Sequence, residues 1–219
     1  KKYGKVISLI QFPSLTDEGK LICLDDSSGT LVHGVEYSSD WYGNELKSGG
    51  GWSLEMTDTR FPFYDNGNWR ASTSQSGGTP GNVNSVSSDN PDDSFYGIQN
   101  VFPVDSVSIL VRFSEPVLTF SEGLNSIKIQ GKEINSLYPA DPLRREYVVT
   151  LKDQLQTRET YQLDLSEDIK DFAGNSIQKR SFVFGMPEKA ALSDVIFNEL
   201  LFNPLPGDPD YIEFYNSSS

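Results

Sequence analysis

Alternation of apolar and polar residues with a period of two runs through this 219-residue chain and limits its fold more than any other feature. In "VSILVRFSEPV", Val107, Ile109, Val111 and Phe113 share one face. In "TYQLDLS", Tyr161, Leu163 and Leu165 alternate with Gln162, Asp164 and Ser166, and "SFVFGM" sets Phe182, Phe184 and Met186 on one side. In "GWSLEM", Trp52, Leu54 and Met56 oppose Ser53 and Glu55. Successive strand side chains point to opposite faces, so each stretch fits a sheet buried on one side. Long helical spacing is absent. The best candidates for a helical turn, "SEDIKD" (166–171) and "PLRRE" (142–146), are too short to define a fold. The expected class is all-β.

Turns separate the strands at the intervals of a sandwich. "QGKE" (130–133) places Gly131 first in a two-residue loop, predicting a type II′ hairpin between Ile127–Ile129 and Ile134. "DDSSGT" (25–30) is a turn in which Gly29 is free to take positive φ. "FAGN" (172–175) does similar work, and "GGTPG" (77–81) places Pro80 and Gly81 at the centre of a type II turn. The polar run "NVNSVSSDNPDDS" (82–94) has no apolar period and reads as a linker, and Pro187 in "GMPEKAALSD" marks a second boundary. Three parts follow: residues 1–90, 91–187 and 188–219, the last too small to fold alone.

A net charge of −13 repels phosphate backbones and anionic lipid, so nucleic acid and membrane surfaces are poor partners. One cysteine, Cys23, excludes an internal disulfide, and no run of about 20 apolar residues is present to span a bilayer. Lys1 is not a natural initiator, and the expectation is a piece of a longer chain.

Residues 95–186 resemble a bacterial Ig-like domain of the S-layer and surface-protein type. "VFPVDSVSILVRFSEPV" (101–117) is similar to the family's opening, and "LSEDIKDFAGNSI" (165–177) to its late turn. The flanks resemble two halves of a lamin-tail domain, itself an Ig-like sandwich. The second half is similar to residues 15–86, through "LTDEGKLICLDDSSGTLVHGVEYSSDW", "GGWSLEM", "NWRAS" and "GGTPGNVNS". His33 stands there where members often carry an acidic residue. The opening half is similar to "DVIFNELLFNPLPGDPDYIEFYN" (194–216), with Glu199 and Glu213 at the family's acidic positions. The resemblance implies Ig-like β-sandwiches in two modules, one complete and one formed from split or swapped halves. The 194–216 hairpin would complete a sandwich with a 1–86 segment, head to tail with a neighbouring molecule or by folding back. Alternatively, the Ig-like domain is an insertion in a permuted lamin-tail sandwich.

Chemical signals are sparse. With His33 alone, neither HExxH nor Cys/His zinc chemistry is possible, and a Ser-His-Asp triad would need His33 as its base. His33 shares a face with Leu31, Val35 and Tyr37, which suits a core histidine with one hydrogen bond; Cys23, between Ile22 and Leu24, suits a small apolar filler. "SGGGW" (48–52) lacks phosphate-loop form. A carboxylate pair could hydrolyse glycosides only at a separation that spacing does not reveal. The loops "PGDPDYIE" (206–213) and "DNPDD" (89–93) could favour calcium, with Asp208, Asp210 and Glu213 the first to inspect. Trp41, Tyr42 and "RFPFYDNGNW" (60–69) are candidates for sugar stacking, whereas Trp52 and Trp69 belong to packing. No catalytic, cofactor or metal residue is assigned. By resemblance the chain is a non-catalytic extracellular or cell-surface spacer or adhesion module of a larger bacterial protein, with a protein or glycan partner. The alternative is a carbohydrate-binding accessory region of an exported hydrolase.

Overall fold

The computed structural model describes residues 7–8, 10, 12–120, 123–205 and 207–218; Lys1 and Pro206 lie outside the described residues. The chain is mostly strand and turn. Two hairpins come first, β1 (Gly19–Asp25) with β2 (Leu31–Ser38), and β3 (Leu54–Met56) with β4 (Trp69–Ala71). The turn before β2 has the expected form: Gly29 takes φ +80°, and Asp26 Oδ1 accepts from the backbone N–H of Ser28 and Thr30.

A sandwich follows. One sheet has the order β13 (Ile177–Lys179), β5 (Phe95–Pro103), β6 (Ser108–Phe113), β10 (Glu146–Leu151) and β9 (Ile134–Pro139). The facing sheet has the order β14 (Ser181–Gly185), β11 (Thr160–Leu165) and β8 (Ile127–Ile129), and β7 (Val117–Thr119) pairs with β12 (Lys170–Asp171). The inward faces read from alternation meet here: Ile109, Val111 and Phe113 from one sheet pack with Leu163, Leu165 and Phe184 from the other. Edge strand β13 lies parallel to β5, and Gly97 permits it. At φ +107°, a Cβ on Gly97 would stand 2.5 Å from the Ile177 side chain and 2.6 Å from the Lys179 carbonyl.

Three expectations are corrected. Gly131 occupies the second central position of its turn, at φ +70° with Lys132 N–H donating to Ile129 O, so no II′ hairpin forms; β8 pairs with β11 and β9 with β10. Residues 142–146 and 166–171 are not helical, because Arg144 enters the left-handed region at φ +58° and the second segment turns into β12. Helical turns form at Ser39–Tyr42, Glu45–Ser48, Asp65–Asn68 and Gly123–Ser126 instead. The one at Glu45–Ser48 is capped by the Asn44 side chain, which accepts from Leu46 and Lys47 N–H. Finally, Glu55 is the buried residue of β3, while Leu54 and Met56 are half-buried.

That reversal has a cause. Glu55 accepts from Thr79 Oγ1 at 2.6 Å and from the backbone and hydroxyl of Ser85 at 2.7 Å each. Burial raises its pKa, but these donors outweigh burial and bring it down to about 2. The 82–94 run therefore lacks strands, as its pattern requires, yet it is bound closely to the first unit. Asn90 N–H donates to Asp58 and its side chain donates to Gly67 O and Asn68 Oδ1. Its polar side chains complete the interior of a neighbour.

The chain ends in β15 (Val195–Leu201) and β16 (Tyr211–Asn216), which pair only with each other among the described residues.

Candidate functional site

The densest convergence of charge, aromatic rings and space lies where the first unit meets the sandwich. Phe63, between β3 and β4, stacks on Phe172 at a centroid distance of 3.9 Å. Arg145 bonds Glu36 of β2 at 2.6 Å. The Asn175 amide donates to the Asp92 carbonyl at 3.0 Å. Gly34 lets β2 lie against the buried Leu143, a side chain that any Cβ at 34 would strike. Tyr37, Trp41, Phe63 and Tyr64 line a cleft of about 500 Å³ here with Glu36 and Arg145.

At the same joint Asp92, Glu115 and Asp171 bring carboxylate oxygens within 4.8 Å of one another. Asp92 comes from the acidic loop, Glu115 from "FSEP" and Asp171 from the turn before Gly174-Asn175. Asp171 is 1% exposed, and Asn175 satisfies both its oxygens through backbone N–H and side-chain amide, each at 2.8 Å. Burial, and next the Asp171 charge, push the Asp92 carboxyl up to about 6. Three hard oxygen donors form a set that a divalent cation such as calcium prefers, and Asn175 also supplies hydrogen bonds without one.

The residues singled out in the sequence are placed as follows. Asp208 and Asp210 are exposed in the loop before β16, and Glu213, on β16, accepts from the Asn198 amide at 2.7 Å. They do not converge as a group; the one carboxylate cluster among the described residues is that of Asp92, in the other acidic loop. Glu115 and Asp171 escaped notice as ligands because they lie far apart in sequence and inside motifs read for their turns. His33 is half-buried, meets the Pro62 carbonyl through Nε2 at 3.0 Å and packs edge-on against Phe63. Facing a carbonyl, Nε2 is the donor, and the lone pair of the neutral ring lies on Nδ1. Cys23 is half-buried, and burial followed by nearby Asp25 raises its thiol pKa, away from a reactive thiolate. Trp41 stacks near Trp69 at 6.2 Å, and Tyr42 donates to the Trp52 carbonyl at 2.9 Å, so both rings are half-buried packing elements, with Trp41 also bordering the cleft. Lys47 Nζ lies 4.7 Å over the Trp52 ring.

No helix among the described residues is long and apolar enough to cross a membrane. No curated protein matches the chain. A crystal structure of the S-layer protein rSbsC(31–844) is 24% identical over 47% of this chain, with a TM-score of 0.38. A crystal structure of the N-terminal part of the bacterial S-layer protein SbsC is 25% identical over 47%, with a TM-score of 0.36. The matches span 15% and 26% of the lengths of those two chains. Residues 82–185, a little under half of the chain, match the family model described as bacterial Ig-like domain.

Proposed function

We propose that this chain is a non-catalytic structural part of a bacterial surface or secreted protein, in which the Ig-like sandwich is a stiff spacer holding its neighbours at fixed positions. The observation that carries the reading is the joint, where a ring stack, an ion pair, a hydrogen bond and a close backbone approach act on one interface. Contacts of separate kinds at separate points resist both bending and twisting, whereas a bare linker permits both. The family match supports the surface setting. On this reading the chain divides into 1–90, 91–187 and 188–219, and the outer parts are the two halves of a lamin-tail-like sandwich. Small-angle X-ray scattering tests stiffness: at concentrations low enough to keep the chain monomeric, one arrangement of the first unit on the sandwich should fit the profile from 0.05 to 0.5 M salt. A profile that requires a broad distribution of inter-unit angles contradicts it.

Adhesion to glycan is a second reading, favoured by the cleft that sets Trp41 and Tyr37 beside Glu36 and Arg145. Aromatic faces with flanking charged groups suit pyranose rings and their hydroxyls. Binding on a glycan array that is lost in Trp41→Ala would establish it, and silence across the array would remove it.

A further inference from the structure

We propose that the apolar face of the β15–β16 hairpin docks, head to tail, on the open face of β3–β4 in a second copy of this chain. The inference deepens the structural role proposed above, and rests on it, by naming the partner. Register fixes the two faces of the hairpin. Cross-strand partners point the same way, so Phe197 with Phe214, Leu200 with Ile212, and Val195 with Asn216 share one face, while Glu199 opposes Glu213 on the other. The Phe197 and Phe214 rings lie 5.1 Å apart.

Five apolar side chains on that face are between 51% and 66% exposed. Side chains of this size present on the order of 150–200 Å² each, so the face leaves roughly 500 Å² of apolar surface in water. That is toward the upper end of the roughly 300–600 Å² of the largest patch on a typical monomer, a size often functional, and it approaches the ~800 Å² per partner of a stable interface. Phe202 and Leu205, 86% and 75% exposed in the adjoining loop, extend it. A lone two-stranded hairpin is marginal in water, and the opposed glutamates weaken this one further.

The first unit has the reciprocal defect. Leu54, Met56 and Trp69 share the β3–β4 face through the pairs Leu54–Ala71 and Met56–Trp69; they are partly exposed, with Trp69 stacked near Trp41, and border a groove of about 550 Å³. The segment that carries the hairpin leaves the sandwich at the end opposite the first unit. The first unit sits by Phe172 and Asn175; β14 starts near that end, where Leu165 N–H bonds Arg180 O, and finishes at Gly185 opposite Thr160. The hairpin leaves from that far end, so a neighbouring copy is the natural source of the groove it fills. Donor and acceptor are different surfaces, so the contact is heterologous and repeats from copy to copy. Residues 190–219 contain no Lys or Arg, and each copy carries −13. The copies repel, so burial drives the contact and salt strengthens it.

Sedimentation velocity on the full chain tests this. The average mass should rise with concentration, more steeply in 0.5 M than in 0.05 M salt. The Phe197→Asp, Phe214→Asp double variant should weaken self-association by roughly 100-fold or more. Met56→Asp should do the same, and a mixture of the two variants should form a one-to-one dimer that grows no further. A monomer at every concentration, a mixture that does not pair, or a Met56→Asp protein that still dimerises overturns the proposal. A photo-crosslinking residue at position 197 of an otherwise unaltered chain gives a check free of folding defects: capture of residues 52–71 of an isotope-labelled second copy supports docking, and capture within the same copy overturns it. A monomer whose scattering profile stays rigid defeats the docking and leaves the spacer reading standing.

Discussion

The sandwich of residues 95–186 closes nineteen buried apolar side chains into one cluster, while before Phe95 the only buried apolar residue among those described is Ala71. The first unit buries Glu55, Thr57, Asp58, Asn68 and Ser72 instead. Both regions are built of alternating strands and glycine turns, so strand pattern alone does not decide whether a core closes. What differs is the cover. Each inner face of the sandwich meets another sheet. The β3–β4 pair turns its carboxylate side inward onto serine and threonine donors and leaves Leu54, Met56 and Trp69 only partly covered. A buried polar network of this kind is specific when every member is satisfied. Asn68, fully buried, donates to the carbonyls of Asp58 and Phe61 and accepts from Asp58 N–H. The network of this unit has two gaps: the Trp69 indole N–H and the Thr57 hydroxyl are buried without a partner.

Truncating side chains in the two regions should separate them most. Phe113→Ala removes a ring that is 1% exposed and packed against Phe95, Phe120 and Tyr147, and should cost about 3–5 kcal/mol in urea unfolding. Met56→Ala, at a partly buried position, should cost about 1 kcal/mol. Equal losses would mean that the first unit has a closed core after all.

Glu55→Ala should cost about 2–3 kcal/mol by orphaning the Thr79 and Ser85 donors, more than truncating the apolar neighbours Leu54 or Met56. A smaller loss than theirs would mean that apolar contacts hold this unit.

The pH dependence sharpens the contrast at the smallest scale. Asp92 has its folded pKa raised from 3.8 to about 6, so the folded state binds its proton more tightly. Its contribution favours folding increasingly as pH falls from about 6 toward 4, and Asp92→Asn should flatten that rise. Glu55 has its folded pKa lowered from 4.5 to about 2, so its stabilisation is complete above 4.5 and is lost as pH falls toward 2. Asp92→Asn should change the pH profile of a sandwich reporter between pH 6 and 4, and Glu55→Gln that of a first-unit reporter below pH 4.5. Profiles that match the parent's in both variants would contradict the assignment.

Much of this was legible in the residues. Alternation located β6, β11 and β14 and their inward faces, and Pro80-Gly81 forms the turn expected of it, with Asn82 N–H donating to Thr79 O at 3.0 Å. Partner choice was not legible. Nothing near Gly131 says that β8 joins β11, because that pairing is decided by burial across a long loop. Alternation sets Glu55 opposite Leu54 and Met56 without saying which face is covered, and its donors, Thr79 and Ser85, lie 24 and 30 residues away. The Asp92, Glu115 and Asp171 cluster was half visible, as an acidic loop and two turn motifs whose meeting only the folded chain reveals.

Hydrogen exchange measured over a range of protein concentrations tests most directly whether the hairpin and the first unit complete one another between copies. Amides of residues 109–113 and 161–165 should exchange slowly at every concentration, while those of 195–201 and 211–216 exchange rapidly when dilute and become protected together with 54–56 and 69–71 as concentration rises. Protection of the hairpin that matches β6 at the lowest concentration, or that never changes with concentration, would contradict it.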